Sequence, residues 1–252
     1  MKYVWKGVHK DFSAAVRDAG SIQGTAFSTQ SWLQRQAKLV ESSSINTQTG
    51  LIEGPRPTSL LQVLAAADTD LIIDFGGGSG WVYSFLKRFG LHPRRYIVVD
   101  LPEVVEYFLL NPTEGVEYYS FGQQIPKIEA YSNRVMYSNS ALQYSADSQL
   151  LLQYLKIYCP KILVMDEVLW STVQSDWFTV QINMERPVAV RFVSVRNLMD
   201  QIRDAGLILI SSSRFGTSHR DYIFPSMTNL PARLRIDHGK SLLFKQLGNA
   251  GL

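Results

Sequence analysis

Leu71-Ile72-Ile73-Asp74-Phe75-Gly76-Gly77-Gly78-Ser79-Gly80 decides the fold. Five residues of buried-strand character run into a glycine-rich turn, and Ser79 to Phe89 then reads as a helix. Such a turn lets the backbone approach a ligand closely and aims helix N-terminal N–H groups at it. Outward from this unit the same alternation repeats. Tyr96-Ile97-Val98-Val99-Asp100, Val116 to Tyr119, Arg134 to Ser138 and Lys161 to Asp166 read as strands, with helical stretches at Glu103 to Leu110 and Asp147 to Tyr158. Each crossover has about the length a βαβ unit requires, which predicts an α/β fold with a mostly parallel sheet. After a helix from Val195 to Ala205, the apolar runs Leu207 to Ser211 and Ser241 to Lys245 have no convincing helix between them. They are expected to pair as a C-terminal antiparallel hairpin at the sheet edge.

The first quarter differs. Asp11 to Ala19 is a short amphipathic stretch with an Asp N-cap and Gly20 at its end, and Ser31 to Glu41 has helical composition. Ser42 to Gly50 reads as a loop, and Pro55 and Pro57 mark a boundary. Residues 1–57 are therefore expected to form an N-terminal helical lid, and residues 58–252 the main domain. Trp5 and Phe12 are large apolar side chains outside the alternation and need burial partners. The carboxyl ends of the sheet would supply them, placing this segment over the ligand.

Composition excludes several classes of function. The 252 residues carry 25 Lys+Arg against 22 Asp+Glu, too small an excess for a phosphate-binding surface, so nucleic acid is not an expected partner. The N-terminus has no apolar signal region, and no uncharged apolar run approaches about 18 residues, so no membrane span is expected. The single cysteine, Cys159, fits a reducing cytoplasm and reads as a small buried hydrophobe; no metal-ligand spacing is present.

The spacing of the glycines discriminates between nucleotides. No register of the loop meets G-x-G-x-x-G/A, since counting from Gly76 ends on Trp81, and no Gly-Lys-Ser/Thr follows for a phosphate loop. Asp74, Gly76, Gly78 and Gly80 do form an acid-x-Gly-x-Gly-x-Gly series. About 20 residues on, Asp100 ends the next strand, where a carboxylate can accept hydrogen bonds from both ribose hydroxyls of a nucleoside or, alternatively, cap the helix near Pro102. In this pattern the chain resembles the class I S-adenosylmethionine-dependent methyltransferases. The resemblance implies a Rossmann-like seven-stranded sheet with one antiparallel strand, and S-adenosylmethionine as cofactor. Trp5-x-Gly7-Val8 with Phe12-x-x-Ala15, Val99-Asp100-Leu101-Pro102, Ser138-Asn139-Ser140-Ala141-Leu142-Gln143-Tyr144 and Thr179-Val180-Gln181 are similar to a bacterial family of predicted methyltransferases. That family is often associated with surface-polysaccharide gene clusters, which implies a small-molecule or glycan acceptor. One departure stands out: the strand ending at Asp166 is followed by Glu167, where the family usually carries an Arg.

The cofactor-binding candidates are Asp74, Gly76, Gly77, Gly78, Asp100, Leu101, Ser138 and Asn139, the last two at the carboxyl end of a strand, where open α/β sheets bind ligands. Ser138 and Asn139 also read as ordinary turn residues. Trp5, Trp81 and Tyr83 are candidates for cation–π contact with a sulfonium, or for plain core. Methyl transfer needs few obligatory side chains beyond in-line placement and, for a hydroxyl acceptor, a base. Glu167, His9 and His219 are the candidates for that base, which could also be absent. A non-catalytic nucleoside-binding protein and an NAD-dependent oxidoreductase are the alternatives, and oligomeric state is not encoded in any pattern here.

Overall fold

The computed structural model describes residues 4–20, 26–42, 44–45, 52–53, 57–182, 186–215 and 225–247. The chain runs β1 (Trp5–His9), α1 (Phe12–Ala19), α2 (Gln30–Ser42), the two-residue strands β2 (Ser44–Ile45) and β3 (Ile52–Glu53), and α3 (Thr58–Ala66). The βα alternation follows as β4 (Leu71–Phe75), α4 (Trp81–Arg88), β5 (Arg95–Asp100), α5 (Pro102–Leu110), β6 (Val116–Ser120), β7 (Arg134–Asn139), α6 (Gln149–Tyr158) and β8 (Ile162–Val168). The last part holds β9 (Trp177–Gln181), β10 (Val188–Phe192), α7 (Val195–Asp204), β11 (Leu207–Phe215) and β12 (Gly239–Gln246).

Seven strands form one sheet in the order β11-β12-β8-β7-β4-β5-β6. β4 lies at its centre, parallel to β5 and β7, and is buried along its whole length, which is why it is apolar on both faces apart from Asp74 rather than alternating. β12 runs antiparallel to both β8 and β11, so the expected C-terminal hairpin is present and supplies the one reversed strand. Helices cover both faces. Leu60, Val82, Phe85, Leu86, Val104 and Phe108 pack on one, and Leu151, Leu155, Leu198 and Ile202 on the other. Among the described residues, no helix is long and apolar enough to cross a membrane.

The N-terminal residues follow a different course from the expected lid. β1 pairs antiparallel with β9, and β9 with β10, in a separate three-stranded sheet. Trp5 is 1% exposed and packs edge-on against Phe192, with ring centroids 5.3 Å apart. Phe12 packs on Phe178. The partners these two side chains require therefore come from Trp177–Gln181 and Val188–Phe192 and not from the ends of the main sheet. Helix α1 begins at an Asp11 N-cap whose carboxylate accepts from the Ala14 N–H at 2.7 Å, and ends at Gly20 with φ +67.

Candidate functional site

The site is built where β4 and β5 end. Gly76 leaves β4 with φ +74 and donates its N–H to the Val99 carbonyl at 2.8 Å, which holds the loop to β5. A side chain at Gly76 would run into Ala141, and one at Gly77 would lie 2.6 Å from an Asp74 carboxylate oxygen. The loop path thus requires glycine at both positions. Asp100 Oδ2 accepts from the Gly78 N–H at 2.8 Å and Oδ1 from the Leu101 N–H at 2.7 Å, so the carboxylate clamps the loop to the start of α5. Each oxygen keeps a further lone pair, and Asp100 lines the adjoining cavity. Asp74, also lining it, accepts from the Tyr96 hydroxyl at 2.6 Å. Burial pushes both acids up, Asp74 to about 7 and Asp100 to about 6.

The cavity has a volume of about 440 Å³, within the range of small-molecule sites. Its base is the glycine loop with Leu101 and Trp81; its far side is formed by Asn139, Ser140 and Glu167 at the ends of β7 and β8. The Asn139 Oδ1 atom is buried and has no hydrogen-bond donor among the described residues. Such an orphaned acceptor is costly unless a ligand satisfies it. Glu167 holds a left-handed backbone, φ +53, and burial lifts its carboxyl to about 7. Phe27, Trp32, Gln36 and Leu39 close the top. Trp32, Gln36 and Leu39 recur at helical spacing, so one face of α2 meets the cavity. Two hydrogen bonds hold this helix down: the Ser79 hydroxyl donates to the Gln36 carbonyl at 2.8 Å, and the Arg88 guanidinium to the Val40 carbonyl at 2.8 Å.

Of the residues singled out from sequence, Asp74, Gly76, Gly77, Gly78, Asp100, Leu101, Asn139 and Glu167 meet at this cavity, with Trp81. Ser138 does not. It is buried in β7, because successive residues of a strand face opposite sides and Asn139 takes the cavity side. Tyr83 packs on Tyr96, and Trp5 belongs to the small sheet. His9 sits on β1 beside Asp18, 3.3 Å away, and is not part of the cavity wall. His219 lies outside the described residues. The helix over Ser31 to Glu41 was part of the expected lid, but none of the side chains it brings to the cavity was named from sequence, although Trp32, Gln36 and Leu39 recur at helical spacing, and neither Phe27 nor Phe215 was named.

No protein-family model matches the sequence, and no curated protein does. Solved structures share its architecture. One is a chain of the complex between the Haloferax volcanii Trm112 methyltransferase activator and a partner described as a methyltransferase (17% identity, 90% of this chain and 97% of that one, TM-score 0.53). Another is human N-acetylserotonin methyltransferase in complex with S-adenosylmethionine (15% identity, 94% of this chain and 65% of that one, TM-score 0.53). The LepI complex with S-adenosylmethionine is also similar, at 17% identity and a TM-score of 0.45, over 77% of this chain. The chain spans 49% of LepI, about half its length. With a central β4, ligand-accessible carboxyl ends and a reversed β12, the chain has the Rossmann-like fold of the class I methyltransferases.

Proposed function

We propose that this protein is an S-adenosylmethionine-dependent methyltransferase acting on a small-molecule or glycan-linked acceptor, with surface-polysaccharide synthesis as one setting. The observation that carries the reading is the Asp100 carboxylate, clamped against the Gly76-Gly77-Gly78 loop and lining a cavity of ligand size. The chain's residues fit the donor in three ways. The glycine loop admits close backbone approach, Asp100 retains lone pairs for two ribose hydroxyls, and the orphaned Asn139 Oδ1 awaits a donor group. Bound there, S-adenosylmethionine supplies an activated methyl group on a sulfonium.

The protein's part is then mainly placement. Asp74 shapes the loop from beneath Gly77, Leu101 packs at the mouth, and Trp81 offers a ring face to a cation. Helix α2 acts as the lid, excluding water above the reacting atoms, while residues 4–20 brace the small sheet. Calorimetric titration with S-adenosylhomocysteine tests the reading. Binding with thermal stabilisation is expected; no binding by well-folded protein, or tighter binding of NADH, contradicts it.

A further inference from the structure

The cavity has a second end that donor binding does not use. β5, β4, β7 and β8 are consecutive in the sheet, so the carboxyl ends of β5 and β8 are three strand spacings, about 14 Å, apart. Asp100 stands at one and Glu167 at the other. Glu167 lies beside Ser140, which is itself left-handed with φ +57 and whose hydroxyl favours the charged form of the Glu167 carboxyl; the Ser140 Oγ accepts from Gln143 Nε2 at 2.6 Å. Among the described residues Glu167 forms no ion pair.

The walls around this acid are aromatic. The Phe27 ring meets Trp32 and Tyr144 edge-on, with centroids 5.5 and 4.7 Å away, and all three line the cavity. On the opposite flank, Phe215 Cβ and Glu167 Cα both abut Gly239. This end presents the faces and edges of three rings beside the Glu167 carboxylate, with Arg35 and Ser145 as further polar groups of the lining, a surface that suits a flat aromatic carrying one hydroxyl better than a sugar, whose several hydroxyls each need a polar partner.

We infer that Glu167 is the catalytic base for a phenol-type acceptor, a small planar aromatic carrying an ionisable hydroxyl, seated against Phe27, Trp32 and Tyr144. The inference rests on the methyltransferase reading above. In the transfer, the hydroxyl oxygen forms its bond to the methyl carbon as the methyl–sulfur bond breaks, the electron pair of that bond staying on sulfur. The hydroxyl proton passes to the Glu167 carboxylate. A phenolic proton, at about 10, lies within reach of a carboxyl raised by burial to about 7, whereas an unactivated hydroxyl lies far above it. The charged and titratable groups facing Glu167 are Asp166 on its own strand, Tyr137 on β7, Tyr144 in the turn after β7 and, across the cavity, Arg35 on α2.

The test compares wild type, Glu167→Gln and Phe27→Ala, using S-adenosylhomocysteine for the donor site, 4-nitrophenol for acceptor binding and catechol for turnover. Wild type is expected to bind 4-nitrophenol in the presence of S-adenosylhomocysteine and to methylate catechol, with kcat rising with pH and levelling above about 7. Glu167→Gln should bind S-adenosylhomocysteine within twofold of wild type and lose about 100-fold or more in kcat, with its pH dependence abolished. Phe27→Ala should weaken 4-nitrophenol binding about tenfold and leave S-adenosylhomocysteine affinity unchanged. The inference is overturned if S-adenosylhomocysteine binds but 4-nitrophenol does not, if Glu167→Gln keeps full kcat, or if UDP-glucose is methylated in place of catechol. Failure of S-adenosylhomocysteine to bind wild type would remove the proposed function and this inference together.

Discussion

Replacing Asp100 with alanine separates the ribose role of this carboxylate from its structural role. Its two oxygens accept from the Gly78 and Leu101 N–H groups at 2.8 and 2.7 Å, and the alanine leaves both donors unpaired, at roughly 1–3 kcal/mol each. Against this, burial raises the Asp100 carboxyl from 3.8 to about 6, so at neutral pH the ionised group costs the fold about 3 kcal/mol, which the alanine relieves. The two effects nearly offset. The net change in stability lies between a gain of about 1 and a loss of about 3 kcal/mol, small enough for the protein to remain folded. The ligand has no such compensation. It loses two charge-assisted hydrogen bonds of about 1.5–3 kcal/mol each, and even partial replacement by water leaves a tenfold or greater loss of affinity. Calorimetric titration of both proteins with S-adenosylhomocysteine, alongside thermal melts, reads both quantities. Equal titration curves from two folded proteins would refute the ribose assignment and leave Asp100 as a loop clamp alone.

Burial raises Asp74 and Glu167 to about 7 and Asp100 to about 6, so the folded protein holds protons that the unfolded chain releases. Their contribution to stability is complete below about pH 4 and is lost as pH rises through 6 to 7; Asp18, Asp70 and Glu117 are lowered and act below that window. Ligand-free protein should melt at a higher temperature at pH 5.5 than at pH 8, and the reverse order would contradict the burial of these acids. Trp5→Ala should cost about 3–5 kcal/mol in denaturant unfolding while S-adenosylhomocysteine affinity stays unchanged, because Trp5 fills the core of the small sheet and not the cavity roof. Gly76→Ala adds a methyl against Ala141 at φ +74, and should lower stability by about 1–2 kcal/mol and abolish detectable donor binding.

The centre of the main sheet was legible because its strands carry their own burial signal. Leu71–Phe75 and Arg95–Asp100 are apolar except for Asp74 and the terminal Arg95 and Asp100, and the lack of a helix between Leu207 and Lys245 pointed to the reversed strand. The small sheet was not legible for the opposite reason. Val188–Phe192 contains Arg191, which reads as a surface residue; it is 2% exposed, with its terminal nitrogens donating to Asp176 and Ser148 at 3.2 Å, partners that no local pattern names. Trp5 likewise finds its partner in Phe192, nearly two hundred residues away, and no local pattern names that partner. The same limit governed the lid. An apolar need at Trp5 and Phe12 was evident, but which surface met it was a tertiary choice, and α2 took the position over the glycine loop. At the site, the glycines and Asp100 followed from spacing, and Glu167 from its place at a strand end. Ser138 and Asn139 were named together, and strand alternation turns only Asn139 to the cavity; Phe27 and Phe215 come together with Glu167 only through the fold.

A crystal structure of the protein grown with S-adenosylhomocysteine tests the central claim most directly. The ligand should lie across the ends of β5, β4 and β7, with both ribose hydroxyls on the Asp100 carboxylate, the Gly76-Gly77-Gly78 backbone against it, a donor group on Asn139 Oδ1 and its sulfur directed toward the Glu167 end of the cavity. A ligand bound elsewhere, or one in this cavity that leaves Asp100 uncontacted, would contradict the account.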